Sequence, residues 1–173
     1  MTTIKWAILV LAAAILQRSA LLEVDVFGLS GVKPDLFLIL VAVFSLNHGK
    51  RKGEVFGFLA GLLQDSLSSG YLGVNALAKT VVGYLGGSWR KQFFWRNLPA
   101  QVLLIFVFSI ISDTIYALLN ASAVLVQPGG LKDAAGLILA SGAFSSIVSP
   151  LVFYAALKFD GTGEETCWTE KKI

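Results

Sequence analysis

A chain of 173 residues with 55% hydrophobic and 14% charged side chains departs from soluble domains, which carry roughly 45–50% apolar and about 25% charged residues. A chain of this length cannot hide such an excess in one core, so lipid must solvate much of its surface. The formal net charge of +3 comes from cations scattered between apolar segments, which indicates membrane topology and excludes a nucleic-acid face.

Cys167 is the single cysteine and His48 the single histidine. Together they remove an intrachain disulfide, cysteine-based metal sites, most zinc sites and any histidine-based triad. No catalytic residue, metal or cofactor is expected.

In chain order, Lys5 and the apolar run Trp6–Leu16 begin like a signal peptide. Gln17-Arg18-Ser19 offers no small-residue cleavage site and leads into more apolar sequence, so an uncleaved first span over Trp6–Leu22 is expected. Further apolar segments run Pro34–Leu46, Val55–Leu67, Val74–Trp89, Leu98–Leu119 and Ala134–Phe159. The fold class expected is therefore an all-α integral membrane protein of about six short transmembrane helices. A straight crossing needs roughly 20 residues, with a lower bound near 17, and the second and third segments are shorter than that. Local bilayer thinning, polar extensions or a re-entrant segment would reconcile them. Residues 1–159 read as one bundle, and residues 160–173 as a flexible cytoplasmic tail.

Charge fixes the expected orientation. The connection Asn47–Glu54 carries Lys50, Arg51 and Lys52; Ser88–Asn97 carries Arg90, Lys91 and Arg96; the tail region carries Lys158, Lys171 and Lys172. Between these, Asp65–Gly73 has no Lys or Arg, and Asn120–Asp133 has only Lys132. This alternation places both termini in the cytoplasm. Trp89, Phe93, Phe94 and Trp95 beside the second basic connection suit an interfacial aromatic belt.

Polar and small residues recur at helical spacing. Gly53, Gly57, Gly61 and Asp65 stand four apart in the third segment, and Asn75, Lys79, Gly83 and Gly87 repeat the pattern in the fourth. Such glycine stripes let helix backbones approach closely, either within the bundle or against a partner helix. Asp65 and Lys79 fall at similar depth, and an ion pair between them is expected, with snorkelling of Lys79 as the alternative. In the fifth segment Ser109, Ser112, Asp113, Tyr116 and Asn120 share a face, and the sixth brings Ser141, Ser145, Ser149 and Pro150. Asp113 is an intramembrane carboxyl, a functional candidate or a structural hydrogen-bonding group. The sequence argues against an aspartyl protease, because Asp65 lies nearer the surface than Asp113 and no Gly-x-Gly-Asp precedes either.

The stretch Pro34–Gly87 resembles the bacterial rod shape-determining MreD family. The similarity rests on Pro34-Asp35-Leu36 opening a short apolar helix and on the basic turn His48–Gly53. It continues through Gly57-Phe58-Leu59-Ala60-Gly61-Leu62-Leu63-Gln64-Asp65, Leu72-Gly73-Val74-Asn75-Ala76-Leu77 and Val82-Gly83-Tyr84-Leu85, with Gln17 also fitting. The resemblance implies a non-enzymatic scaffold subunit of the cell-elongation (peptidoglycan synthesis) complex in the cytoplasmic membrane. It implies binding to the bitopic protein MreC, and indirect linkage to the MreB filament, a class B penicillin-binding protein and its glycosyltransferase partner. It also implies a fold like that of the substrate-binding subunits of energy-coupling-factor transporters. The glycine stripe Gly53–Gly61 and the outer loops Glu23–Pro34 and Tyr71–Asn75 are the expected contact surfaces. Two rival functions share the helix count: a substrate-binding subunit of a vitamin-type transporter, with Asp113 and Ser145 lining a cavity, and a proton or ion carrier using Asp65 and Asp113.

Overall fold

The computed structural model describes residues 2–18, 24–26, 29–32, 34–68, 71–89, 98–119 and 130–160. Among these residues six helices follow the six apolar segments: α1 (Thr2–Arg18), α2 (Leu36–His48), α3 (Lys50–Leu67), α4 (Val74–Trp89), α5 (Leu98–Leu119) and α6 (Gly130–Asp160). One element is added to the expected helical chain. Within the loop expected over Glu23–Pro34, β1 (Val24–Val26) and β2 (Leu29–Val32) form an antiparallel hairpin that pairs Val24 with Val32 and Val26 with Leu29. Strand β2 lies against α6. The tail from Gly161 onward, the basic residues Arg90, Lys91 and Arg96, and Asn120 lie outside the described residues.

The largest shift from the expected boundaries is at α3. The connection expected over Asn47–Glu54 is a single residue, Gly49, between the end of α2 and the start of α3. Its φ of 84° is the left-handed region that disfavours a side chain. The Gly49 N–H donates to the Ser45 carbonyl at 2.8 Å, and the Gly49 carbonyl accepts from the Gly53 N–H at 2.9 Å. One glycine therefore closes one helix and opens the next. As a result, Lys50, Arg51 and Lys52 form the first turn of α3 and not a loop.

Helix α2 is the centre of the bundle. Its 13 residues span only ~20 Å at 1.5 Å per residue, against a hydrocarbon layer of roughly 30 Å. Yet Leu36–Val43, Ser45 and Leu46 are all buried, with α1, α3, α4, α5 and α6 packed around them. A helix surrounded by protein has its length set by its neighbours and not by the bilayer. At its C-terminal end Phe44 stacks on His48 at 4.3 Å and on Phe56 at 4.1 Å, and Trp6 meets Phe44 edge-on at 5.0 Å. This aromatic group ties α1, α2 and α3 together.

Helices α5 and α6 pack on each other, and each is long and apolar enough to cross a membrane, over Pro99–Leu119 and Ala135–Ala156. Pro150 inside α6 has no N–H for the Ser146 carbonyl four residues back. The Ser149 hydroxyl donates to that carbonyl at 2.7 Å, so the freed acceptor stays satisfied in an apolar setting. Outward-facing Ile147 and Leu151, 73% and 72% exposed, continue an apolar shell suited to lipid.

Candidate functional site

Helices α2, α4 and α6 begin, and α3 and α5 end, at the same end of the bundle. That end collects Asp35, Asp65, Lys79 and Asp113. The opposite end holds the aromatic group and the cations of α3.

Asp65, in the last turn of α3, is 2% exposed. One carboxylate oxygen accepts the N–H groups of Gly73 (2.8 Å) and Ala76 (3.1 Å). The other accepts the backbone N–H and the side-chain amide of Asn75, at 3.2 and 2.8 Å. These backbone donors are the opening groups of α4, which have no partner inside their own helix. Asp65 thus caps α4 from the preceding helix and places an anion at its positive end. Gly73 holds the connecting turn with φ 102°.

The expected Asp65–Lys79 ion pair does not form. Asp65 is already taken up by four donors at the start of α4. Lys79, one turn further in, reaches α2 instead and donates from Nζ to Asp35 Oδ2 at 2.8 Å. The Lys79 side chain is wholly buried and that of Asp35 is 17% exposed, so snorkelling is excluded. Asp35 joins three helices. Its Oδ1 caps its own helix by accepting the Leu38 N–H at 3.0 Å, and its N–H donates to Ser145 Oγ of α6 at 3.0 Å. Pro34, before it, is buried.

Asp113 of α5 accepts from the hydroxyls of Ser141 on α6 and Ser109 on its own helix. Ser112 is buried beside it, and Tyr116, one turn on, is 39% exposed. A polar seam thus crosses α2, α4, α5 and α6, and its hydrogen-bonding groups are turned on one another. Among the described residues no group of three His, Cys, Asp or Glu side chains is placed to hold a metal.

The glycine stripe is also used inside the chain. A Cβ at Gly53 would lie 2.6 Å from the Gly83 carbonyl oxygen, one at Gly57 would strike the Lys79 carbonyl, and one at Gly61 would strike Asn75 and Ala76. Gly87 sits equally close to the backbone of Lys50. Helix α4 therefore covers the face that was expected to receive a partner helix. Of the other expected contact surfaces, Tyr71 and Leu72 remain exposed, at 69% and 71%.

Sequence reasoning missed the roles of Asp35 and Ser145. The signal for Asp35 was present, since an Asp directly before an unbroken apolar run is an N-cap pattern. It also put a carboxylate at the same membrane depth as Lys79. Ser145 carried no such signal, because its contact depends on how α6 packs across α2.

Residues 1–128 match the family described as rod shape-determining protein MreD. No curated protein and no solved structure matches the chain. Helix α6, which supplies Ser141 and Ser145, lies beyond the matched residues.

Proposed function

The chain belongs to the MreD family of rod shape-determining membrane proteins, and from that premise we propose that it is a non-enzymatic scaffold of the bacterial cell-elongation complex. In this reading it crosses the cytoplasmic membrane six times with both termini inside, binds the bitopic protein MreC, and through it joins the MreB filament to a class B penicillin-binding protein and its glycosyltransferase.

The observation that carries the proposal is the family match over residues 1–128. The alternation of Lys/Arg-rich and Lys/Arg-poor connections supports the six-span topology. The interior supports a scaffold over a carrier, because its carboxylates and serines cap helices and bridge them. With the glycine stripe covered by α4, the reading keeps the outer loops Glu23–Pro34 and Tyr71–Asn75 as the contact surface for MreC, and the exposure of Tyr71 and Leu72 supports the second of them.

The test is mass spectrometry of what co-purifies with the tagged protein, solubilised gently from its native membrane. The scaffold reading expects a single-span coiled-coil protein together with cell-wall synthases. Recovery of paired ATPases and a small molecule, without that partner, would replace it with the transporter reading. Tyr71→Asp and Leu72→Asp should lower MreC recovery without changing the amount of folded protein.

A further inference from the structure

Three consecutive cations, Lys50, Arg51 and Lys52, are exposed in the first turn of α3. Among the described residues no carboxylate lies within ion-pair distance of any of them. The single-residue turn at Gly49 seats them directly on the helix. Below them on the same helix run Val55, Phe58 and Leu59, exposed by 61%, 49% and 57%. The spacing from Arg51 to Val55 to Phe58 and Leu59 is that of one helical face. Neighbouring α4 widens this face with Tyr84 and Leu77, 46% and 50% exposed. Lys50 bridges the two helices, its Nζ lying 5.7 Å from the centroid of the Tyr84 ring. Close packing of α3 on α4 through Gly53, Gly57 and Gly61 makes the pair one continuous surface.

We infer that this α3–α4 face is a binding site for an anionic diacyl phospholipid. The headgroup phosphate lies on Lys50, Arg51 and Lys52, and the acyl chains lie along Val55, Phe58, Leu59 and Tyr84. Charge complementarity selects this occupant. A cluster of basic residues at the membrane surface attracts anionic headgroups, and an apolar column beginning one turn below suits the chains of the same molecule. A free anion would leave that column uncovered. The inference rests on the membrane placement given under the proposed function and not on binding to MreC. It is tested on the isolated chain, so its failure leaves the co-purification result untouched.

The experiment is native mass spectrometry of the purified full chain, titrated in mild detergent with dioleoyl phosphatidylglycerol or dioleoyl phosphatidylcholine. Wild type should retain phosphatidylglycerol in clear preference to phosphatidylcholine. Each cation replaced in the series Lys50→Gln, Arg51→Gln, Lys52→Gln should weaken phosphatidylglycerol retention about fivefold, until the triple variant no longer distinguishes the two lipids. The double variant Lys50→Arg, Lys52→Arg should keep the preference. Phe58→Ala with Leu59→Ala should lower retention of both lipids alike. Equal retention of the two lipids by wild type, or an unchanged preference in the triple variant with wild-type helicity, overturns the proposal. A two-chain species without bound lipid would also overturn it and assign the face to self-association.

Discussion

Replacing Lys79 by Met tests the buried ion pair and identifies its partner. The pair joins a fully buried ammonium to a carboxylate that is 17% exposed, at 2.8 Å. Breaking a buried pair from one side costs ~3–5 kcal/mol, because the remaining charge is left uncompensated. Lys79→Met should fall near ~3 kcal/mol, since Asp35 keeps the Leu38 N–H and some solvent. Asp35→Asn should fall near ~5 kcal/mol. Asn still caps a helix well, so that variant isolates the charge, and it strands an ammonium with no access to water. Combining the two should recover most of the loss, giving a coupling energy of several kcal/mol, of either sign convention, where independent sites add to within about 0.5 kcal/mol. Against a total stability of roughly 5–15 kcal/mol, these changes are large. The assay is reversible unfolding in mixed micelles with rising SDS fraction, followed by far-UV circular dichroism. A second cycle pairs Lys79→Met with Asp65→Asn and should show little coupling, since the two side chains share no hydrogen-bond partner. Strong coupling to Asp65 and none to Asp35 would refute the assignment.

Other outcomes follow from the same contacts. Gly57→Ala should destabilise by ~1–3 kcal/mol and Gly57→Leu should abolish accumulation of folded protein. Gly142→Ala should be tolerated, because its added carbon would meet Phe106 at 3.4 Å; the unfolding assay measures the first of these, and size-exclusion profiles of the detergent-solubilised variants the other two. Asp65→Ala should cost ~3 kcal/mol through loss of the α4 cap and its charge-assisted bonds, and Asp65→Asn less, in the same unfolding assay. In a Cys167→Ser background, Tyr71→Cys should react with an impermeant maleimide from outside intact cells and Lys52→Cys only after lysis; the reverse pattern would invert the proposed topology.

Most helix positions were legible because the apolar segments are bounded by polar residues or glycine. The expected span Leu98–Leu119 coincides with α5, whose ends are marked by the polar sequence on either side. The α2–α3 junction was not legible in the same way. Its five polar residues and one glycine between Leu46 and Gly53 read as a loop, since hydropathy registers charge and not backbone hydrogen bonds. The structure shows one glycine turning the chain while the cations continue as helix. The hairpin was missed for a related reason: its strands, of three and four residues, are too short to show alternation, and their pairing is set across the turn and against α6.

The candidate site shows where one-dimensional reasoning loses its hold. From sequence, Asp65 and Lys79 are neighbours at the same depth, and opposite charges at equal depth invite pairing. Backbone demand decides otherwise. Turning the chain from α3 into α4 leaves opening N–H groups with no partner in their own helix, and in an apolar surround each unpaired group is costly. Asp65 is the carboxylate the turn delivers to them, and it is filled before Lys79 is reached. Lys79 must then find its anion elsewhere, and the carboxylate at the same end that meets it is Asp35, placed by the need of α2 for a cap. Two helix starts therefore determine which charges pair. The glycine stripe follows the same logic, because the close approach it permits brings the start of α4 within reach of Asp65 and carries Lys79 past α3 toward α2. What resembles a docking face in the sequence is, in the fold, the condition for assembling the polar seam.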